Sequence, residues 1–113
     1  MHEMSLCEGI LRVIEDHATT QDFHKVKTVW LEVGVLAGVE VEALRFGFDV
    51  VMKDSIAEDA RLEIIQVPGQ AWCMNCMENV EIKQRFDACP KCAGYQLQVN
   101  RGEELQVKEL EVE

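Results

Sequence analysis

Apolar residues return every three or four positions through the first stretch of the chain. Leu6, Ile10, Ile14 and His17, with Leu11 and Val13 beside them, mark one face of a helix from near Met4 to near Ala18, the spacing that stacks side chains along an α-helix. Ser5 and Glu8 form a Ser-x-x-Glu capping box at its start, and "TTQDF" reads as its break. The period then drops to two. In "KVKTVWLEVG", Val29, Leu31 and Val33 alternate with Thr28, Trp30 and Glu32, and β-branched and aromatic content suits a strand. Gly34 and Gly38 punctuate a turn, after which "VEVEALRFGFDVVMKDS" restores helical spacing through Val41, Leu44, Phe48 and Val51 or Met52. Gly47 inside that helix costs about 1 kcal/mol relative to alanine, which predicts a close helix–sheet contact. "ARLEIIQV" is a second strand, stopped by Pro68-Gly69.

From Gln70 cysteines replace periodicity. "VEIKQRF" has the alternation of a hairpin, and "QLQVN" and "ELQVKELEV" are strand-like, with Arg101-Gly102 as a turn between them. Two helices and two strands precede the cysteine segment, so the final strand is expected to return and complete a three-stranded sheet. The predicted class is α+β: a small three-stranded sheet packed with two helices, plus an inserted zinc-ribbon-like domain with four cysteines. Residues 1–68 and 103–113 would form the discontinuous body, and 69–102 the insert.

Charge narrows the partners. The chain has 21 acidic and 11 basic residues, a formal charge of −10. The insert holds Lys83, Arg85, Lys91 and Arg101 against Glu78, Glu81 and Asp87, so the remainder carries −11. An acidic body repels phosphate backbones and argues against nucleic acid. No apolar run reaches bilayer length, and the start lacks the basic and apolar regions of a signal peptide. A cytoplasmic protein with no membrane partner is expected. In that compartment, five cysteines indicate metal or redox chemistry rather than disulfides.

Cys73-Met-Asn-Cys76 and Cys89-Pro-Lys-Cys92 stand twelve residues apart. Each C-x-x-C can curl so that both sulfurs face one point while backbone amides donate to the thiolates. Two such knuckles, closed by a hairpin, make a tetrahedral all-sulfur site. Zinc is the first reading; iron, as in a rubredoxin-like electron carrier, is the second. Thioredoxin-like chemistry lacks its strand–helix context. With sulfur at all four positions no coordination site stays open, so the centre is structural. A segment this small builds little core, and the metal supplies most of its folding free energy. Trp72, Phe86 and Tyr95 are expected around the knuckles, and Cys7 reads as a buried thiol on the first helix.

The terminus "MHE" offers different donors. A free α-amine, the next peptide nitrogen and the imidazole of His2 can close fused chelate rings on one ion, a nitrogen-rich set that suits Ni(II) or Cu(II). Glu3 adds negative charge. The plain alternative is a solvated His-Glu pair at a fraying end. His17 and His24 read as a helix-end and a loop residue. No Ser/His/Asp set, phosphate loop or second histidine cluster appears, so no enzyme is expected.

"MHEMSLCEGI" at the start, "VWLEVGVLAGVE", the two knuckles and the closing "KELEVE" together resemble the HypA/HybF family. Those are nickel metallochaperones for [NiFe]-hydrogenase maturation, and "AWC" and "ELEVE" look closer to the HybF branch. The resemblance spans essentially the whole chain. It implies a nickel site on His2, side chain and backbone, with the backbone or carboxylate of Glu3. It implies structural zinc on Cys73, Cys76, Cys89 and Cys92. It further implies transfer of nickel, with a HypB-type GTPase, to the hydrogenase large-subunit precursor; some members also serve urease. Glu40 falls where the family often has an acidic residue near the nickel end and is an accessory position, or else a solvated helix-start glutamate. Some relatives carry a histidine near the second knuckle. Segment 69–102 has none, which leaves the Met1 α-amine, a Glu3 group, water or a partner side chain as fourth nickel donor. Self-association is a further option. The rival readings are a zinc-ribbon nucleic-acid binder and an adaptor without nickel function.

Overall fold

A computed structural model of the chain describes residues 3–113. The elements run α1 (Glu3–Gln21), β1 (Val26–Gly34), α2 (Val41–Met52), β2 (Arg61–Val67), β3 (Gly69–Cys73), β4 (Glu78–Ile82), β5 (Leu97–Arg101) and β6 (Leu105–Val112). The α+β class read from the sequence is present, as two helices with a sheet of order β2-β1-β6 and a second of order β4-β3-β5. Two compact units result: residues up to Leu31 with Val39–Ile65 and Gln106–Glu113, and Glu32–Gly38 with Gln66–Leu105. Among the described residues, no helix is long and apolar enough to cross a membrane.

In the first unit α1 is longer than expected. Thr19 and Thr20 stay helical because their hydroxyls donate to the Glu15 and Asp16 carbonyls at 3.1 and 2.8 Å. The helix stops only where Asp22 turns left-handed at φ 56°. Ser5 lies inside α1, not at a cap. The buried stripe is Cys7, Ile10 and Ile14; Val13 and His17 lie outside it, and the His17 Nδ1–H bonds the Val13 carbonyl at 2.9 Å. Gly47 marks a helix–helix contact rather than a helix–sheet one. A Cβ there would sit 3.1 Å from Met4 Sδ and 3.3 Å from Cys7 Sγ on α1.

β1 is the middle strand. Val26 N–H donates to Ile56 ahead of β2, and Val35 N–H to Val67 at its end, so β2 runs parallel to β1, as a β1-α2-β2 crossover requires. At the start of β1, Glu113 N–H bonds Lys25, and β6 returns antiparallel. Val26, Val29 and Leu31 are buried with Ile14, Leu44, Phe48 and Met52. Thr28, also buried, is satisfied by the Glu111 carboxylate at 2.7 Å. Cys7 is fully buried, and its thiol donates to the Leu44 carbonyl at 3.5 Å.

The second unit is built on β3, which pairs antiparallel with β4 and β5. As the sequence suggests, β2 stops at Pro68, and Gly69 at once opens a strand that the sequence did not signal, β3. Glycine is needed there because a Cβ would meet the Ile82 carbonyl oxygen at 2.5 Å and Leu36 at 2.9 Å. Gly102, at φ +103°, passes against the Gly69 backbone and also has no room for a side chain. The expected hairpin through "VEIKQRF" is shorter, since β4 ends at Ile82. Asp87 Oδ2 then organises a loop by accepting from the Lys83 and Gln84 amides at 3.1 and 3.0 Å. The core consists of Leu36, Ala71, Cys73, Val80, Ile82 and Cys89, with Cys76, Cys92, Leu97 and Val99 against it. Sulfur is thus part of the core itself. Phe86 and Tyr95, at 92% and 75% exposure, are not.

Candidate metal centre

The two knuckles share one construction. Met77 N–H closes on the Cys73 carbonyl and Ala93 N–H on the Cys89 carbonyl, both at 2.8 Å. Both closing residues are left-handed, at φ 57° and 63°, a conformation costing on the order of 1 kcal/mol for a non-glycine residue. Inside each loop an amide points at sulfur. Cys76 N–H reaches Cys73 Sγ at 3.3 Å, and Lys91 N–H reaches Cys89 Sγ at 3.4 Å. The Lys91 ammonium pairs with the Glu78 carboxylate, joining the second knuckle to the strand that leaves the first.

The antiparallel register sets Cys73 at the end of β3, beside Leu97 of β5. From there the knuckles interleave. Cys73 Sγ lies 3.7 Å from Cys92 Sγ, and Cys76 Sγ lies 3.9 Å from Cys89 Sγ. All four sulfurs are within 4.8 Å of one another, the one such His/Cys/Asp/Glu group among the described residues. Zinc–thiolate bonds of about 2.3 Å in a tetrahedron put sulfurs ~3.8 Å apart. The spacing therefore fits a tetrahedral zinc, and the donor chemistry is that of a closed structural site.

Four thiols this close cannot all ionise without a cation. Cys92 is pulled down to about 6 by hydrogen bonds from the Asn75 side chain and the Gly94 amide. Cys76 is pushed up to about 12, first by its hydrogen bond with Cys92 and then by burial and the other sulfurs. Asn75 and Gly94 thus shape the donors without being donors. Their place inside and just past the C-x-x-C pairs is the signal available in the sequence, and spacing alone does not single them out.

Of the residues read as nickel donors, Met1 and His2 lie outside the described residues. Glu3 begins α1, and its Oε2 accepts from the Glu40 N–H at 3.3 Å. Glu40 is the residue at the N-cap of α2, with no side-chain cap. Glu3 and Glu40, far apart in sequence, therefore adjoin through a backbone amide. His17 and His24 are exposed elsewhere on the first unit and do not join them.

The model of the family described as "Hydrogenase/urease nickel incorporation, metallochaperone, hypA" matches residues 1–112. The chain belongs to the HypA family. "Hydrogenase maturation factor HypA" of Azotobacter chroococcum mcd 1 is 59% identical over 113 residues, covering all of both chains. The protein of the same name from Alkalilimnicola ehrlichii is 61% identical over 113 residues, again with full coverage of both. The solution structure of the Ni metallochaperone HypA from Helicobacter pylori shares the fold, with a TM-score of 0.74 over 99% of this chain and 97% of that one at 23% identity.

As a HypA family member, the chain combines a nickel metallochaperone's sequence with a four-cysteine cluster suited to structural zinc. Zinc requires thiolates, so protons compete with it. Above pH 6, Cys92 is already ionised but Cys76 must still lose a proton on binding. Zinc affinity should then fall at least ~10-fold per unit of acidification. Below pH 6 Cys92 takes up a proton as well, and the fall should steepen further. Chelator competition from pH 8 to pH 5 measures this; a flat profile would contradict it.

Proposed function

We propose that this HypA family chain carries Ni(II) at its N-terminus and delivers it for [NiFe]-hydrogenase maturation, without covalent catalysis. Nickel is the cargo, bound by the His2 imidazole and backbone nitrogen, the Met1 α-amine and the Glu3 backbone or carboxylate. Glu40 is an accessory position. Zinc is the resident metal, held by Cys73, Cys76, Cys89 and Cys92, and its role is to maintain the fold of the cysteine-bearing region. On this reading residues 1–68 and 103–113 serve nickel, 69–102 serve zinc, and the protein acts in the cytoplasm. Its partners are a HypB-type GTPase, which cooperates in transfer, and the hydrogenase large-subunit precursor, which receives the ion.

The observation that carries the proposal is the family match, which begins at residue 1 and so includes the Met-His-Glu donors. The chemistry agrees. Adjacent amine, amide and imidazole nitrogens close small chelate rings and favour late first-row divalent ions. Unlike a closed all-sulfur set, a terminal chelate can exchange its ligands stepwise with a partner's, which suits delivery.

The amine donor makes a direct test. Protein beginning with a free Met1 amine should bind one nickel in a calorimetric or spectroscopic titration. The same protein with an acetylated or extended N-terminus should bind at least ~10-fold more weakly, since one ligand and one chelate ring are gone. Equal affinities would remove the terminus from the site.

A further inference from the structure

β6 ends the first unit's sheet, whose order is β2-β1-β6, so among the described residues one of its edges has no strand beside it. Glu113 turns both its N–H and its carbonyl towards His24 and Lys25, just ahead of β1. In an antiparallel ladder the preceding residue, Val112, then turns its own pair outward. Such an edge is a template for a further strand. The two faces of β6 differ in character. Glu109, Glu111 and Glu113 are exposed at every second position and share one face, where Glu111 also holds Thr28 of β1. Leu110 and Val112 take the other face. There a groove of about 240 Å³ runs between β6 and α1, lined by Val13 and His17 of α1, by Phe23, and by Val107, Leu110 and Val112. Val13 and Val112 are 41% and 39% exposed, apolar surface left uncovered at the edge.

Edge, groove and charge together specify one occupant. A strand laid beside β6 bonds the outward backbone groups and sends alternate side chains to the two faces. Those on the groove face must be apolar to fill the space beside Val13. Those on the other face meet the glutamates and must be basic, because opposite charges across neighbouring strands attract and like charges repel. A second copy of β6 fails that requirement, since it sets glutamates against glutamates. Among the described residues, no salt bridge reaches Glu109 or Glu111. The −10 charge of the whole chain draws a basic segment towards the same surface.

We propose that the free edge of β6 docks an extended basic segment of a partner protein as an added strand, with lysine or arginine alternating with apolar residues. The proposal is independent of where nickel binds. One short strand covers far less than the ~800 Å² per partner of a stable complex. The isolated segment is consequently a weak ligand, with a Kd of roughly 0.1 to 1 mM.

Amide resonances of the zinc-loaded full chain, titrated with a synthetic peptide of about seven residues alternating lysine and valine, test it. The amides of residues 107–112, with those of Val13 and His17, should shift and approach saturation near 1 mM peptide at low salt, roughly. Binding should weaken as salt screens the glutamates. A peptide with glutamate in place of lysine should leave these amides unmoved. So should one with the lysines and valines gathered into two blocks, which has the charge but not the alternation. Glu109→Lys reverses a facing charge and should weaken binding about fivefold or more. Val112→Pro removes an outward N–H at the end of an edge strand, where proline is tolerated, and should cost a similar factor. Circular dichroism and zinc content confirm that each variant is folded. Unmoved β6 amides, equal binding of the block peptide, or undiminished binding by both variants would each overturn the proposal. Movement of the β6 amides with protein concentration alone would overturn it too, by making a second copy the occupant.

Discussion

Cys76→Ala should leave a protein that no longer retains zinc and whose second unit has lost its fold, while α1 and α2 remain. The buried cluster around the cysteines in the second unit is six residues, two of them metal-facing cysteines, which is too little apolar burial to offset the conformational entropy of ordering its strands. Structural zinc contributes on the order of 10 kcal/mol at neutral pH. Three remaining sulfurs would hold the ion far less well. The two tryptophans report separately, because Trp30 belongs to the first unit and Trp72 to the second. The Trp72 indole resonance should collapse to its unfolded position, Trp30 should not move, and bound zinc should drop from one per chain towards zero. Stoichiometric zinc with both indoles native would show that the sulfurs are not the scaffold.

His2→Ala should abolish stoichiometric nickel binding and change little else. Losing a supporting group around a metal typically costs 10–100-fold in affinity, so losing a direct ligand together with its chelate ring should cost more than ~100-fold. Helix content and zinc should be unchanged, because the four sulfurs and the buried faces of both helices are made by other residues. His17→Ala and His24→Ala serve as controls. His17 bonds only its own helix, through the Val13 carbonyl, so nickel affinity should be retained. Unaltered nickel affinity in His2→Ala, or equal losses in the controls, would refute the terminal site.

Legibility in the sequence varies with how local each signal is. β1 is readable because alternation of Val29, Leu31 and Val33 is a property of neighbours, and all three are buried; the burial of Val26 and Thr28 on the opposite parity is not part of that pattern. The length of α1 is not, because Thr19 and Thr20 look like helix breakers until their hydroxyls are seen bonding the preceding turn. β3 escapes a sequence reading for a related reason. Pro68-Gly69 correctly ends β2, but nothing local shows that the glycine also opens a strand, where it serves the close approach of the Ile82 carbonyl and Leu36, which are remote in sequence. Gly47 gives a correct warning of close contact but the wrong neighbour, since nothing local says whether a helix or a sheet will pass it.

The four clustered cysteines and their grouping into two knuckles are properties of residue type and spacing, and the chain alone determined them. Which sulfur meets which across the site, Cys73 with Cys92 and Cys76 with Cys89, was decided only in three dimensions. So were the unequal proton affinities of Cys92 and Cys76, and the meeting of Glu3 with the Glu40 amide. The reason is physical: a thiol's identity travels with its residue, but its distance to another sulfur or to an amide dipole is set by strand register and helix crossing. Those are fixed by contacts between segments that the chain separates.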